Sequence, residues 1–183
     1  MIEIETSRLL LKGIDISTFH TLFRNHTDQE LMVFFGVEGD GFDFYKEIHE
    51  KGGATFRISQ FFFVLQRKED GRAIGECGFH TWNTFHKKAE LYYKLHQDAF
   101  KNKGYMGEAL KEIIEFGFLK LDLHRIQALI DPNNLPSFKL LKKNGFELEG
   151  RLKEDYCVNG IFEDSDSYCL LRPNWELRNV RQE

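Results

Sequence analysis

The chain has 183 residues, 42% of them hydrophobic and 30% charged, with 25 Lys and Arg against 29 Asp and Glu for a net charge of -4. That length supports one sizeable core and is short for two, so a single domain over residues 1–183 is expected. No apolar run approaches the roughly 20 residues of a membrane helix, and the net charge disfavours nucleic acid as a direct partner.

The opening Met1-Ile2-Glu3-Ile4-Glu5-Thr6 lacks the basic and then apolar order of a secretory signal, so a cytoplasmic protein with no membrane partner is expected. Cys77, Cys157 and Cys169 form no CxxC pair, and the seven histidines lack ligand spacing. No metal site is expected, and the cysteines read as buried free thiols.

In chain order, residues 8–12 read as a first strand. The spacing over 16–35 predicts one helix, with Phe19, Leu22, Phe23 and Leu31 toward the core. Glycines interrupt the chain over 36–41, and a short helix over 43–51 should stop at Gly52-Gly53. Residues 61–66 and 73–79 are strand-like runs joined by a turn carrying Asp70-Gly71, a hairpin signal. After a polar loop over 81–88, residues 89–95 form an aromatic-rich third strand.

A helix follows the segment 101–108, its Leu110, Ile113, Ile114, Gly117, Phe118 and Leu121 repeating at three and four residues. Residues 124–130 return as a strand. Residues 136–144 make a short helix with Pro136 in its first turn and Gly145 as its stop. Phe146 opens another strand, Asn159-Gly160 marks a second hairpin, and 166–171 form the last strand before a polar tail. This order predicts an α/β fold, a mixed sheet with helices packed against it.

The informative chemistry lies where the third strand meets the long helix. Lys101-Asn102-Lys103-Gly104-Tyr105-Met106-Gly107 surrounds a helix N-terminus with lysines and glycines. The first N–H groups of a helix have no internal partner and carry partial positive charge, which suits a phosphate. Taken alone, Gly104 and Gly107 could equally serve to shape the turn.

This segment, continued by Glu108-Ala109-Leu110, resembles the Q/R-x-x-G-x-G/A pyrophosphate loop of GNAT acetyltransferases. Asn134-Leu135-Pro136-Ser137, then Leu140 to Phe146 and Leu148-Glu149-Gly150, are similar to the family's N-x-x-S helix and its GF-x-x-EG continuation. Thr6-Ser7-Arg8-Leu9-Leu10-Leu11-Lys12 resembles the T-x-R-L-x-L-R opening of the RimJ/RimL ribosomal-protein N-terminal acetyltransferase subgroup. Two positions depart from the pattern. Lys101 stands where glutamine or arginine is usual, and Met106 must point its side chain away from the phosphates for its N–H to serve them.

The resemblance implies a mostly antiparallel twisted sheet with helices on both faces, its central strands splayed to form the acetyl-CoA cleft. It implies an N-acetyltransferase with acetyl-CoA as cosubstrate and an amine acceptor as partner, and a homodimer is compatible with it. The acceptor read first is a protein N-terminal amine. The alternatives are a small amine (polyamine, amino acid or antibiotic) and a noncatalytic CoA-binding module.

By the same resemblance, Lys101, Asn102, Lys103, Gly104, Tyr105, Met106 and Gly107 bind the pyrophosphate, while the backbone of Tyr93, Lys94 and Leu95 and the side chain of Asn134 hold the pantetheine arm. Ser137 would hydrogen-bond the leaving sulfur, although Asn134 and Ser137 also suit a helix cap. Glu90 is the candidate general base, against a salt-bridged strand glutamate. Tyr156, beside Glu154 and Asp155, is a second proton-transfer candidate, against an ordinary strand aromatic. The family's acceptor pocket would be lined near Phe34, Phe35 and the glycines of 36–41, where phenylalanine spacing equally suits a core. His80, His86 and His96 read as solvated histidines near loops.

Overall fold

The computed structural model describes residues 1–53 and 59–180. Eight strands form one sheet in the order β1-β2-β3-β4-β5-β6-β8-β7, antiparallel except where β5 meets β6. The strands are β1 (Ile2–Glu5), β2 (Leu9–Asp15), β3 (Ser59–Arg67), β4 (Ala73–Asn83), β5 (Lys88–Leu95), β6 (Arg125–Ile130), β7 (Glu147–Val158) and β8 (Ile161–Leu171). β1 is an edge strand that sequence patterning did not single out, so the strand read at residues 8–12 is the second one, Leu9–Asp15.

Alternation on the central strands builds two cores. Phe61, Phe63 and Leu65 of β3 face one cluster with Leu9, Leu11 and the apolar face of α4 (Tyr105–Leu119), whereas Phe62 and Val64 face the other. That second cluster packs beneath α1 (Ile16–Asn25), α2 (Asp28–Phe35) and α3 (Asp40–Lys51), and it holds Phe19, Phe35, Phe42 and Tyr45. α5 (Leu135–Lys143) joins the α4 face through Leu140 and Leu141, as does α6 (Arg172–Val180) through Trp175. The expected α/β sheet with helices on both faces is the fold observed.

Four local expectations need correction. The single helix over 16–35 is two helices, because Thr27 and Glu30 form a reciprocal capping box that starts a new helix after His26. The polar tail is the helix α6, whose Trp175 ring lies 5.1 Å from that of Phe118. The loop over 81–88 is much tighter than read, since β4 runs to Asn83 and β5 starts at Lys88. Cys77 and Cys169 are buried free thiols as expected, but Cys157 is exposed. Asn159 (φ 52°) and Gly160 (φ 81°) make the left-handed pair that the second hairpin requires.

Candidate active site

β5 and β6 are parallel and pair over only three residues: Lys88 with Arg125, Ala89 with Ile126 and Glu90 with Gln127. Beyond Glu90 the rest of β5 keeps its ladder to β4, while β6 keeps its ladder to β8. The sheet therefore opens into a wedge between Leu91–Leu95 and Ala128–Ile130, whose facing backbone groups have no ladder partner among the described residues. This is the splay anticipated at Tyr93, Lys94 and Leu95.

The crossover from β5 to β6 brings the N-terminus of α4 to this wedge. Gly104 caps the helix in the left-handed region (φ 81°), with no side chain bonding the helix's first N–H groups. Asn102 is also left-handed (φ 59°), and residues 101–104 are exposed. Met106 is 7% exposed and packs in the α4 core, so its side chain points away from the loop as the expectation required. A Cβ on Gly107 would meet only Leu140 of α5, at an ordinary 3.5 Å, so α5 stands beside the loop without crowding it.

Glu108 fastens the loop to the β1–β2 turn. Its carboxylate accepts from Thr6 Oγ1 (2.5 Å), the Arg8 backbone N–H (2.8 Å) and Arg8 Nε (2.7 Å). Arg8 in turn donates to the Lys103 carbonyl (2.9 Å) and lies over the Tyr105 ring. Lys101 is turned onto Asp98 at 2.6 Å.

On the α4–α5 side of the wedge stand Tyr93 and Ser137. Asn134 caps α5 by accepting the Ser137 N–H at 3.1 Å, so the helix-cap reading of Asn134 holds in this geometry. The Tyr93 hydroxyl is buried without a hydrogen-bond partner among the described residues. Burial raises the Tyr93 phenol above its usual range while the nearby Ser137 hydroxyl lowers it, though no hydrogen bond of ordinary geometry joins the two.

On the opposite side, ladder register places Glu76 against Lys94, Gly78 against Tyr92 and His80 against Glu90. Glu90 is half-buried, with its Oε1 3.4 Å from His80 Nε2. Burial pushes the Glu90 carboxyl above its ordinary range, His80 pulls it back and Asp155 pushes it further. His80 is thus a strand residue facing the candidate base, not a solvated loop histidine. Glu90 lines one cleft of about 360 Å³ with Arg125 and Gln127, while His80 lines another of about 320 Å³ under α1 and α3.

The second cleft is walled by Phe19, Phe44, Tyr45, Ile48, Phe62 and Tyr92, with the carboxylate of Glu76 at its side. Phe34 and Phe35 do not line it. Phe35 is fully buried and stacks on Tyr45 with ring centroids 4.4 Å apart, which is the core reading. Tyr156 stands apart from both clefts, on the β7–β8 hairpin, where its hydroxyl donates to Glu163 at 3.1 Å. Sequence reasoning passed over Glu76 and Tyr45 and read His80 as solvated. A lone carboxylate inside Ala73-Ile74-Gly75-Glu76-Cys77-Gly78-Phe79 was the available signal for the first.

Residues 8–147 match the family described as the acetyltransferase (GNAT) domain. The chain belongs to this family. GNAT acetyltransferases use acetyl-CoA, and the chain is an N-acetyltransferase. It is 27% identical to the uncharacterized N-acetyltransferase YoaA of Bacillus subtilis (strain 168), covering 93% of this chain and 97% of that one. A mutant form of the spermidine/spermine N-acetyltransferase SpeG from Vibrio cholerae shares its fold, with a TM-score of 0.70, 21% identity and coverage of 95% and 99%. The ribosomal-protein-S5-alanine acetyltransferase of Vibrio fischeri does so at 0.69, with 23% identity and coverage of 96% and 99%. These two similarities concern the fold alone.

The residues present fit the family's coenzyme: a left-handed glycine at the start of α4, an uncrowded Gly107, an outward-facing loop and an unpaired β5 edge. Among the described residues, no group of three or more His, Cys, Asp or Glu is arranged to hold a metal. No helix there is long and apolar enough to cross a membrane.

Proposed function

We infer that the chain transfers an acetyl group from acetyl-CoA to a primary amine at the β5–β6 wedge, and that the acceptor is a protein N-terminal amine. One observation carries this reading. The wedge divides two unlike surfaces, with the anion-suited loop, Tyr93 and Ser137 on one and Glu90, His80 and an aromatic cleft on the other. The coenzyme would enter from the first and the amine from the second, meeting where the strands part.

The coenzyme supplies an acetyl thioester. Gly104, Tyr105, Met106 and Gly107 offer backbone N–H groups to its phosphates, with Lys101, Asn102 and Lys103 beside them. Tyr93, Lys94 and Leu95 align the pantetheine arm with their free backbone edge, and the amide of Asn134 assists. Glu90, paired with His80, takes the proton that makes the acceptor amine nucleophilic. Ser137 donates a hydrogen bond at the leaving sulfur. Tyr156, next to Asp155 whose charge acts on Glu90, is the second proton-transfer residue.

The acceptor assignment rests on the apolar and aromatic lining of the cleft, which suits the side chain of an N-terminal residue. A small-amine acceptor is the second reading, favoured by the aromatic rings of the same cleft, which suit the stem of a short alkylamine. The test combines calorimetric titration by acetyl-CoA and by dephosphorylated pantetheine with an acetylation assay on N-terminal peptides and spermidine. Phosphate-dependent micromolar binding and peptide turnover are expected. Binding without turnover of any amine would point to a noncatalytic coenzyme-binding module, and preference for spermidine would favour the second reading.

A further inference from the structure

Glu76 is 4% exposed, accepts the Tyr45 hydroxyl and has the Lys94 ammonium 3.0 Å from its Oε1. The same ammonium lies 5.9 Å from the centroid of the Phe44 ring and 6.0 Å from that of Tyr45. A buried carboxylate with aromatic rings turned toward one cation is the chemistry that recognises an alkylammonium ion. Here the cation comes from the chain itself, and its place is fixed by register, because Lys94 stands opposite Glu76 in the β4–β5 ladder. All four residues line the aromatic cleft.

We propose that Lys94 is a specificity-determining residue that fills an ammonium site in the acceptor cleft, so that the enzyme selects amines carrying no second cation. The inference rests on the acetyltransfer reading above and refines it. An acceptor reaching Glu90 and His80 would lay its remaining atoms along Phe19, Ile48 and Phe62. A second ammonium on that arm would meet the positive charge of Lys94, with Glu76 already neutralised. An apolar arm would meet aromatic rings and lose nothing. Without Lys94, the Glu76 carboxylate would be buried and uncompensated, and a cation on the ligand would relieve it.

The test compares butylamine with 1,4-diaminobutane as acceptors for the full chain, for Lys94→Gln, for Lys94→Met and for the double variant Glu76→Gln/Lys94→Met. The wild type should favour the monoamine. Each single variant should shift the kcat/KM ratio toward the diamine by at least tenfold, about 1.4 kcal/mol, and the double variant should lose that gain. A ratio cancels any common effect on the coenzyme. Thermal melting with added diamine, no coenzyme present, reads the cleft without turnover: the single variants should be stabilised, and the wild type and double variant should not. Equal handling of the two amines by the wild type, or an unchanged ratio and melting response in both folded single variants, would overturn the proposal. Diamine-dependent stabilisation of the variants without acetylation of any amine would support the cation site and sink the acetyltransfer reading instead.

Discussion

Glu90 is held in a position where ionisation is costly. Its carboxyl is raised by burial and by Asp155, and relieved in part by His80. A raised folded value means that the folded state binds this proton more tightly than the unfolded chain. The group therefore costs stability once pH rises through the usual carboxylate range toward its folded value. Glu90→Gln should melt higher than wild type at neutral pH while kcat/KM falls roughly 100-fold, the lower end of general-base effects. The acidic limb of the pH–rate profile, expected above the usual carboxylate range, should disappear in the variant; an unchanged profile with unchanged rate would return Glu90 to a strand ion pair. Ser137→Ala should lower kcat with little change in the Kd for acetyl-CoA, read by single-turnover kinetics beside calorimetry.

The loop proposed for the phosphates was legible as a glycine-led helix start because its signal is local: two glycines, two lysines and the first turn of an amphipathic helix lie in seven residues. The direction of Met106 follows from the same helix phase that buries Leu110 and Ile113. The Tyr45, Glu76 and Lys94 cluster was not legible, since its members lie far apart in the chain and meet only through strand register and the packing of α3.

At the scale of elements, a weak signal hid behind a stronger one. Apolar spacing continues from α1 into α2, and that periodicity masked the Thr27-Asp28-Gln29-Glu30 start signal inside it. Thr27→Ala should remove the capping box and cost about 1 kcal/mol, measured as a lower denaturant midpoint with an unchanged m-value. α6 was missed for the opposite reason, since nine mostly polar residues offer little apolar face and its anchor is Trp175 on Phe118. Strand pairing leaves still less room. A Cβ on Gly78 would stand 2.4 Å from the Phe61 carbonyl oxygen and 2.4 Å from Phe62 Cα. Backbone cannot yield as a side-chain tip can, so Gly78→Ala should cost about 2 kcal/mol or more by equilibrium unfolding.

For the whole molecule, binding at the loop and stability are one measurement. Acetyl-CoA at 100 times its Kd should stabilise the folded chain by about 2.7 kcal/mol, visible as a rise in Tm. Gly104→Asp places an anion at the start of α4 and strains a left-handed position, so that rise should vanish at the same coenzyme concentration. The sheet class and the order of its central elements could be read from pattern, because alternation and helical spacing each repeat over many residues. The opening between β5 and β6 could not be read that way. It depends on where two strands stop pairing, and neither strand's sequence encodes that point by itself.

That stopping point has a mechanical meaning. Three rungs join β1 through β5 to the group of β6, β8 and β7, so along the sheet the two groups meet by a short seam with a gap beyond it. A ligand arm lying along β5 would work as a splint between the two halves, adding to the core beneath α4 that already spans them. Amide exchange in β6 should therefore slow when the coenzyme binds, even at residues the ligand never touches.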